Sequence, residues 1–154
     1  MRFSELVTPQ TIISDIRAGT TPELLAELAG RAAFLTGLDR MALFRALLDG
    51  EAVTSTGLGL GVAMPHIRSR MLAAPVALFA RLGRPIDYHA LDKRPVDVVF
   101  LLLGPEPATP GYLKLLICAA RALRDPVARD AMRNNFNVAT IVAALEGAIV
   151  PTAS

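Results

Sequence analysis

Tryptophan is absent, cysteine occurs once and histidine twice in 154 residues. The single thiol, Cys118, cannot close an internal disulfide, and its place in an apolar helical run reads as a buried, inert side chain. Two histidines and one cysteine share no ligand spacing, so no metal is expected. Aromatic residues make up 5% of the chain, too few to build stacking platforms for bases. Charge of one sign is lacking too: 16 basic and 14 acidic residues intersperse to a net charge of +2, without a Lys/Arg cluster that would follow a nucleic-acid backbone. Long hydrophobic runs are missing as well. Val98–Leu103 and Leu115–Ala120 are the longest, far short of the roughly 20 residues a membrane-spanning helix needs. Glu5 falls where a signal peptide would begin its apolar stretch. These absences predict a cytoplasmic protein with neither membrane insertion nor a nucleic-acid partner.

The chain is 53% apolar, enough to fold. No linker, repeat or low-complexity segment divides it, which predicts one domain over residues 1–150 and a frayed tail at 151–154. Phe3–Val7 and Thr11–Ile13 read as short extended pieces split by Pro9, followed by a polar loop at Asp15–Thr20. Thr20-Thr21-Pro22-Glu23 is a helix start, with a threonine cap, a first-turn proline and an early glutamate. Leu24, Leu25, Leu28, Ala32 and Leu35 recur at helical spacing until Gly37. Asp39 caps a second helix that Gly50 stops. Val76–Arg81 and Val96–Leu103 are strand candidates, the second apolar enough to be covered on both faces. Gly83, Pro85, Asp87 and Asp92 between them signal turns. Helices are expected at Pro110–Arg124, Pro126–Asn134 and Val138–Gly147. Helices, strands and then helices predict an α/β sandwich, a mixed β-sheet flanked by helices.

The chemistry concentrates in Ser55-Thr56-Gly57-Leu58-Gly59-Leu60-Gly61-Val62-Ala63-Met64-Pro65-His66. Its glycines allow close backbone approach and turn N–H groups toward an anion. The dinucleotide fingerprint fails, because Val62 stands where the third glycine belongs, and no Gly-Lys-Ser/Thr completes a P-loop. What remains is a glycine-lined loop delivering one imidazole behind Pro65, whose ring biases Met64 toward an extended conformation. Imidazole suits reversible phosphoryl carriage, since its neutral ring nitrogen is nucleophilic and the N–P bond stays labile. Thr56, the N–H groups of Gly57 and Gly59, and Arg68 are candidate donors to phosphoryl oxygens. On residues alone, a lone histidine after proline reads more often as a turn or packing residue than as a nucleophile, and the glycine-rich approach narrows that margin without reversing it. His89 reads as a solvated loop histidine.

The string Leu47-Leu48, Glu51, Ser55-Thr56-Gly57-Leu58-Gly59 and Gly61-Val62-Ala63-Met64-Pro65-His66 resembles the active-site signature of the enzyme IIA domain of the bacterial phosphotransferase system, fructose/mannitol/nitrogen type. The resemblance continues through Pro95-Val96-Asp97-Val98-Val99-Phe100-Leu101-Leu102 and Tyr112-Leu113-Lys114-Leu115-Leu116 to Leu123-Arg124-Asp125, in the family's order. It implies that His66 takes a phosphoryl group from the histidine-containing phosphocarrier protein. His66 would pass that group to a IIB domain or use it as a signal to a regulatory target protein, the nitrogen branch being favoured for a free-standing domain. No organic cofactor is implied, because the donor arrives already phosphorylated.

Three positions depart from the family pattern. Tyr112 stands where a second histidine is usual, Gly50 replaces an arginine, and Ile67 replaces a glycine. Tyr112 can donate a hydrogen bond but carries no positive charge at neutral pH, and Arg68 and Arg45 are the candidate substitutes for the missing arginine. The departures at Gly50 and Tyr112 motivate the alternative of a degenerate, non-phosphorylated interaction module. A hydrolase using His66 as base lacks a paired nucleophile or an orienting carboxylate.

Overall fold

The computed structural model describes residues 2–53 and 55–147. The tail expected to fray at 151–154 lies outside the described residues. Two strands build the centre. β5 (Val76–Ile86) and β6 (Val96–Pro105) pair antiparallel from Val76↔Leu103 to Arg81↔Val98. β1 (Ile12–Ile16) adds parallel to β5. On the far side of β6 lie β2 (Gly57–Gly59), β3 (Val62–Ala63) and β4 (His66–Ser69), giving the order β1-β5-β6-β3-β2 with β4 also on β6.

The pleat sends alternate side chains to opposite faces. Ala77, Phe79, Val98, Phe100 and Leu102 meet α1 (Phe3–Leu6), α4 (Pro110–Arg124), α5 (Pro126–Asn134) and α6 (Val138–Leu145). Leu78, Ala80, Val99, Leu101 and Leu103 meet α2 (Thr21–Thr36) and α3 (Arg40–Val53). Buried on both sides, β6 is the apolar run the sequence marks. The mixed sheet with helices on both faces is the architecture expected.

Helix ends follow local chemistry. The Thr20 side chain accepts from Glu23 N–H, and α2 closes on Gly37 at φ 75°. Asp39 Oδ2 accepts from Ala42 N–H at 2.8 Å to start α3. Thr109, Asp125 and Asn137 cap the last three helices in the same way.

Several sequence expectations fail locally. Phe3–Leu6 is a helical turn that buries Phe3 and Leu6, not an extended piece. Pro9–Thr11 is a 3₁₀ turn closed by reciprocal Thr8 and Thr11 bonds, and β1 then runs through Asp15 and Ile16, where a loop was expected. Gly50 does not stop α3, which continues to Val53 because glycine weakens a helix without breaking it. Gly83 and Pro85 sit inside β5, where the register shifts between Arg81 and Ile86 and proline loses no ladder bond. β6 extends two residues past Leu103, and α6 ends at Leu145 with Gly147 beyond it at φ 78°. Cys118 is half-buried beside the α4 core, not fully enclosed. The glycine-rich stretch folds as three short strands with tight turns, where an open loop was expected.

Candidate functional site

β3 and β4 are two pieces of one interrupted strand along the same edge of β6, with Val62↔Val98 in the first and His66↔Leu102 in the second. Pro65 makes the break, since it has no N–H to give. Its carbonyl still accepts from Leu102 N–H at 3.1 Å, and Met64 N–H donates to the Thr56 carbonyl at 2.9 Å. His66 is therefore held by backbone bonds on both sides of the interruption, while its side chain is exposed.

The ring itself is oriented. Nδ1 of His66 lies 2.9 Å from the Met64 carbonyl oxygen. A carbonyl only accepts, so Nδ1 carries the proton and, in the neutral ring, Nε2 keeps its lone pair. His66 lines a cleft of about 360 Å³ at the sheet edge. Its lining also includes Leu47, Gly50 and Glu51 of α3, Ser55, Thr56 and Leu58, and Ala120 and Arg124 of α4.

Behind the cleft Glu51 gathers three donors. Its carboxylate accepts from the Thr56 hydroxyl, from Thr56 N–H at 3.0 Å and from the Tyr88 hydroxyl at 2.7 Å. Tyr88 is buried, and that burial, reinforced by the Glu51 charge, pushes its phenol well above the ordinary tyrosine value. This arrangement fixes Thr56, whose carbonyl in turn receives Met64 N–H, and so ties Glu51 to the segment that presents His66.

The turn between β2 and β3 is braced from outside. Gly59, Leu60 and Gly61 all have positive φ, 86°, 58° and 85°. The backbone at Gly61 favours glycine, and a Cβ there would come within 2.8 Å of Arg133 Nη2 and 3.2 Å of Asp97 Oδ1, pressing on that ion pair. Asp92 Oδ2 accepts from Leu60 N–H at 2.8 Å, and Arg133 Nη2 donates to the Leu60 carbonyl at 3.3 Å and to Asp97 at 2.8 Å. The N–H groups of Leu60 and Arg94 hold the Asp92 carboxyl below the ordinary value.

Of the residues singled out from sequence, His66 and Thr56 line the cleft together. The Thr56 hydroxyl points to Glu51. Gly57 and Gly59 are not part of the cleft lining, and Gly57 N–H donates to the Ser55 hydroxyl at 3.2 Å. Arg68 is drawn off by Glu106, Nε to Oε2 at 3.3 Å. Tyr112 is buried with its ring against Gly104, and its hydroxyl has no hydrogen-bond partner among the described residues. Burial raises its phenol, with the Arg68 charge opposing. Arg45 is exposed on α3, outside the cleft lining. His89 is exposed in its loop, with Nδ1 3.7 Å from Asp87.

Sequence reasoning missed Tyr88, the bracing role of Asp92 and Asp97, and Arg124. Only the last had a legible signal. Ala120 and Arg124 are one turn apart on α4, so a helix that brings one to the sheet edge brings the other.

Residues 5–148 match the model of the phosphoenolpyruvate-dependent sugar phosphotransferase system, EIIA 2. The chain belongs to that family. It is 45% identical over 125 residues to a nitrogen regulatory protein of Bradyrhizobium diazoefficiens, covering 81% of this chain and 82% of the relative. The nitrogen regulatory protein IIA-Ntr of Neisseria meningitidis superposes with a TM-score of 0.85 at 29% identity, over 93% of this chain and 98% of that one. The mannitol enzyme IIA of Escherichia coli, solved in complex with phosphorylated mannitol enzyme IIB, shares the fold at a TM-score of 0.73 and 15% identity, over 92% of this chain and 97% of that one. Among the described residues, this IIA chain has no helix long and apolar enough to cross a membrane.

Proposed function

We propose that the protein is a phosphoryl carrier whose acceptor atom is Nε2 of His66. The observation that carries this reading is the Nδ1 bond to the Met64 carbonyl, which leaves Nε2 as the nucleophile of a residue that lines the cleft. Membership of the IIA family supports the same role. In the step, the Nε2 lone pair attacks phosphorus of a phosphohistidine donor as the donor's N–P bond breaks. The bonding pair stays on the donor nitrogen, and the donor ring, already protonated on its other nitrogen, returns to a neutral imidazole. His66 keeps its Nδ1 proton on the Met64 carbonyl throughout, so no base is needed.

The donor is the histidine-containing phosphocarrier protein, and the receiver is either a cysteine of a IIB domain or a regulatory target. The mannitol IIA–IIB pair supports a IIB receiver for this fold, and the nitrogen regulatory relative favours the signalling branch. The reaction proceeds in the cytoplasm without cofactor. Arg68 reaches the phosphoryl group only by leaving Glu106, and Tyr112 only by leaving its packing on Gly104. Gly59 serves by shaping the turn, Gly57 by its close approach to Ala90, and Thr56, fixed by Glu51, by receiving Met64 N–H.

Incubation with phosphoenolpyruvate, enzyme I and the histidine phosphocarrier, followed by intact mass, tests the reading. One acid-labile phosphoryl group is expected on the native chain and none on His66→Ala. A folded native chain that gains none overturns the carrier reading and leaves a protein-interaction module. Gly50 and the enclosed Tyr112, both departures from the family pattern, are the observations favouring that second reading.

A further inference from the structure

Arg124 occupies the last turn of α4 together with Arg121. Both suit the negative end of a helix dipole, yet they face different ways. Arg121 lines a separate recess with Cys118 and Asp125, while Arg124 lines the His66 cleft. Among the described residues no carboxylate pairs with Arg124, whereas Arg68 is held by Glu106 and Arg133 by Asp97. Within the cleft, Glu51 is the one carboxylate, and its oxygens are already engaged by Thr56 and Tyr88. Among the described residues, Arg124 is thus the cation that lines the cleft together with His66 and pairs with no carboxylate, and the chain has Gly50 at the position where the family pattern has arginine.

We propose that Arg124 is the phosphoryl-binding residue of this site, its guanidinium receiving the oxygens of the group carried on His66 Nε2. This rests on the carrier reading above and names the counter-charge that reading lacks. A guanidinium fork matches the geometry of a phosphoryl group, and its bonds to an anion are charge-assisted. Lysine at this position keeps the charge and loses the fork.

Two measurements test the assignment, one reactive and one not. Phosphoramidate phosphorylates His66 as Nε2 displaces ammonia from phosphorus, with no protein donor required. The rate of mass gain is expected to fall about tenfold in Arg124→Gln and to recover partly in Arg124→Lys. Arg121→Gln, in the same helical turn but lining the separate recess, stays close to the native rate. Separately, inorganic phosphate is titrated against the His66 ring resonances. Half-saturation is expected at about tenfold higher phosphate in Arg124→Gln, with Arg121→Gln unchanged.

Equal rates and equal half-saturation in the native chain and Arg124→Gln overturn the assignment, as does absence of phosphate binding to the native chain. A native chain that binds phosphate through Arg124 but gains no phosphoryl group from either donor sinks the carrier reading and leaves the anion site standing.

Discussion

The two flanks of β6 are built on different physics. Toward β5 the pairing runs unbroken from Val76↔Leu103 to Arg81↔Val98, and nearly every side chain along it is apolar and buried. Toward β3 and β4 the pairing comes in pieces of two and four residues, split at Pro65. That flank is held by discrete tethers: Glu51 on Thr56 and Tyr88, Asp92 on Leu60, Arg133 on Asp97. Buried area stabilises without direction, whereas hydrogen bonds hold a chosen geometry for a modest net energy. The first flank therefore carries stability, and the second carries the aim of His66. Substitutions on each should separate the two properties.

The largest effect is expected in the first flank. Phe100 is fully buried, its ring 4.4 Å from Phe79 and 6.2 Å from Phe3 between centroids. Phe100→Ala should cost about 3–5 kcal/mol in urea unfolding, the range for truncating a core aromatic. The fraction that remains folded should still take phosphoryl on His66 at the native rate. A loss below about 1 kcal/mol would mean the core closes around the gap, against the observed close packing.

Glu51→Ala comes next, and it should reverse the pattern. It strips the acceptor from the Thr56 hydroxyl, Thr56 N–H and the Tyr88 hydroxyl, at a cost of about 1–3 kcal/mol for orphaned buried donors. Because Thr56 also receives Met64 N–H, the phosphorylation rate should drop in protein that is still folded by circular dichroism. An unchanged rate would show that His66 is aimed by the β6 ladder alone.

The contrast also explains what the sequence discloses. β6 and α2 are legible because period and composition point one way: an apolar run for the strand, and Thr20, Pro22 and Gly37 as punctuation for the helix. His66 is legible through the family string around it. The tethers are not, because each joins residues far apart in the chain, as Tyr88 to Glu51 or Arg133 to Leu60, and no local period marks such a pair. Gly83 and Pro85 misled for a related reason. Their turn signal is real, but the register shift in β5 absorbs it without ending the strand. Arg68 misled by proximity, standing two residues from His66 yet bound to Glu106, while Arg124 arrives from the other end of the chain.

Tyr88→Phe sharpens the comparison further. It removes one of three donors to Glu51 and should cost about 1 kcal/mol at neutral pH. Its larger signature lies in alkali. The folded phenol is raised above the ordinary 10.0, so the unfolded chain loses its proton first. Stability from this group is complete below pH 10 and lost as pH rises toward the folded value. Tyr88→Phe should flatten the alkaline fall in urea midpoint, and an equally steep fall would assign it to other groups, Tyr112 first.

The smallest effect belongs to Asp92, at the exposed end of the tethered flank. Its carboxyl is held below the ordinary 3.8 by the Leu60 and Arg94 N–H groups. A lowered folded value means the contribution is present above that ordinary value and lost as pH falls through the folded one. Asp92→Asn leaves an oxygen for Leu60 N–H but removes the charge, so the Leu60 amide resonance should cease to titrate in acid. In the native chain that resonance should move downward through the Asp92 titration and take Gly59 and Gly61 with it, since all three share the positive-φ turn. If the turn resonances titrate while His66 and Met64 stay still, Asp92 braces the turn alone. If His66 moves with them, the turn between β2 and β3 is mechanically joined to the segment that presents His66.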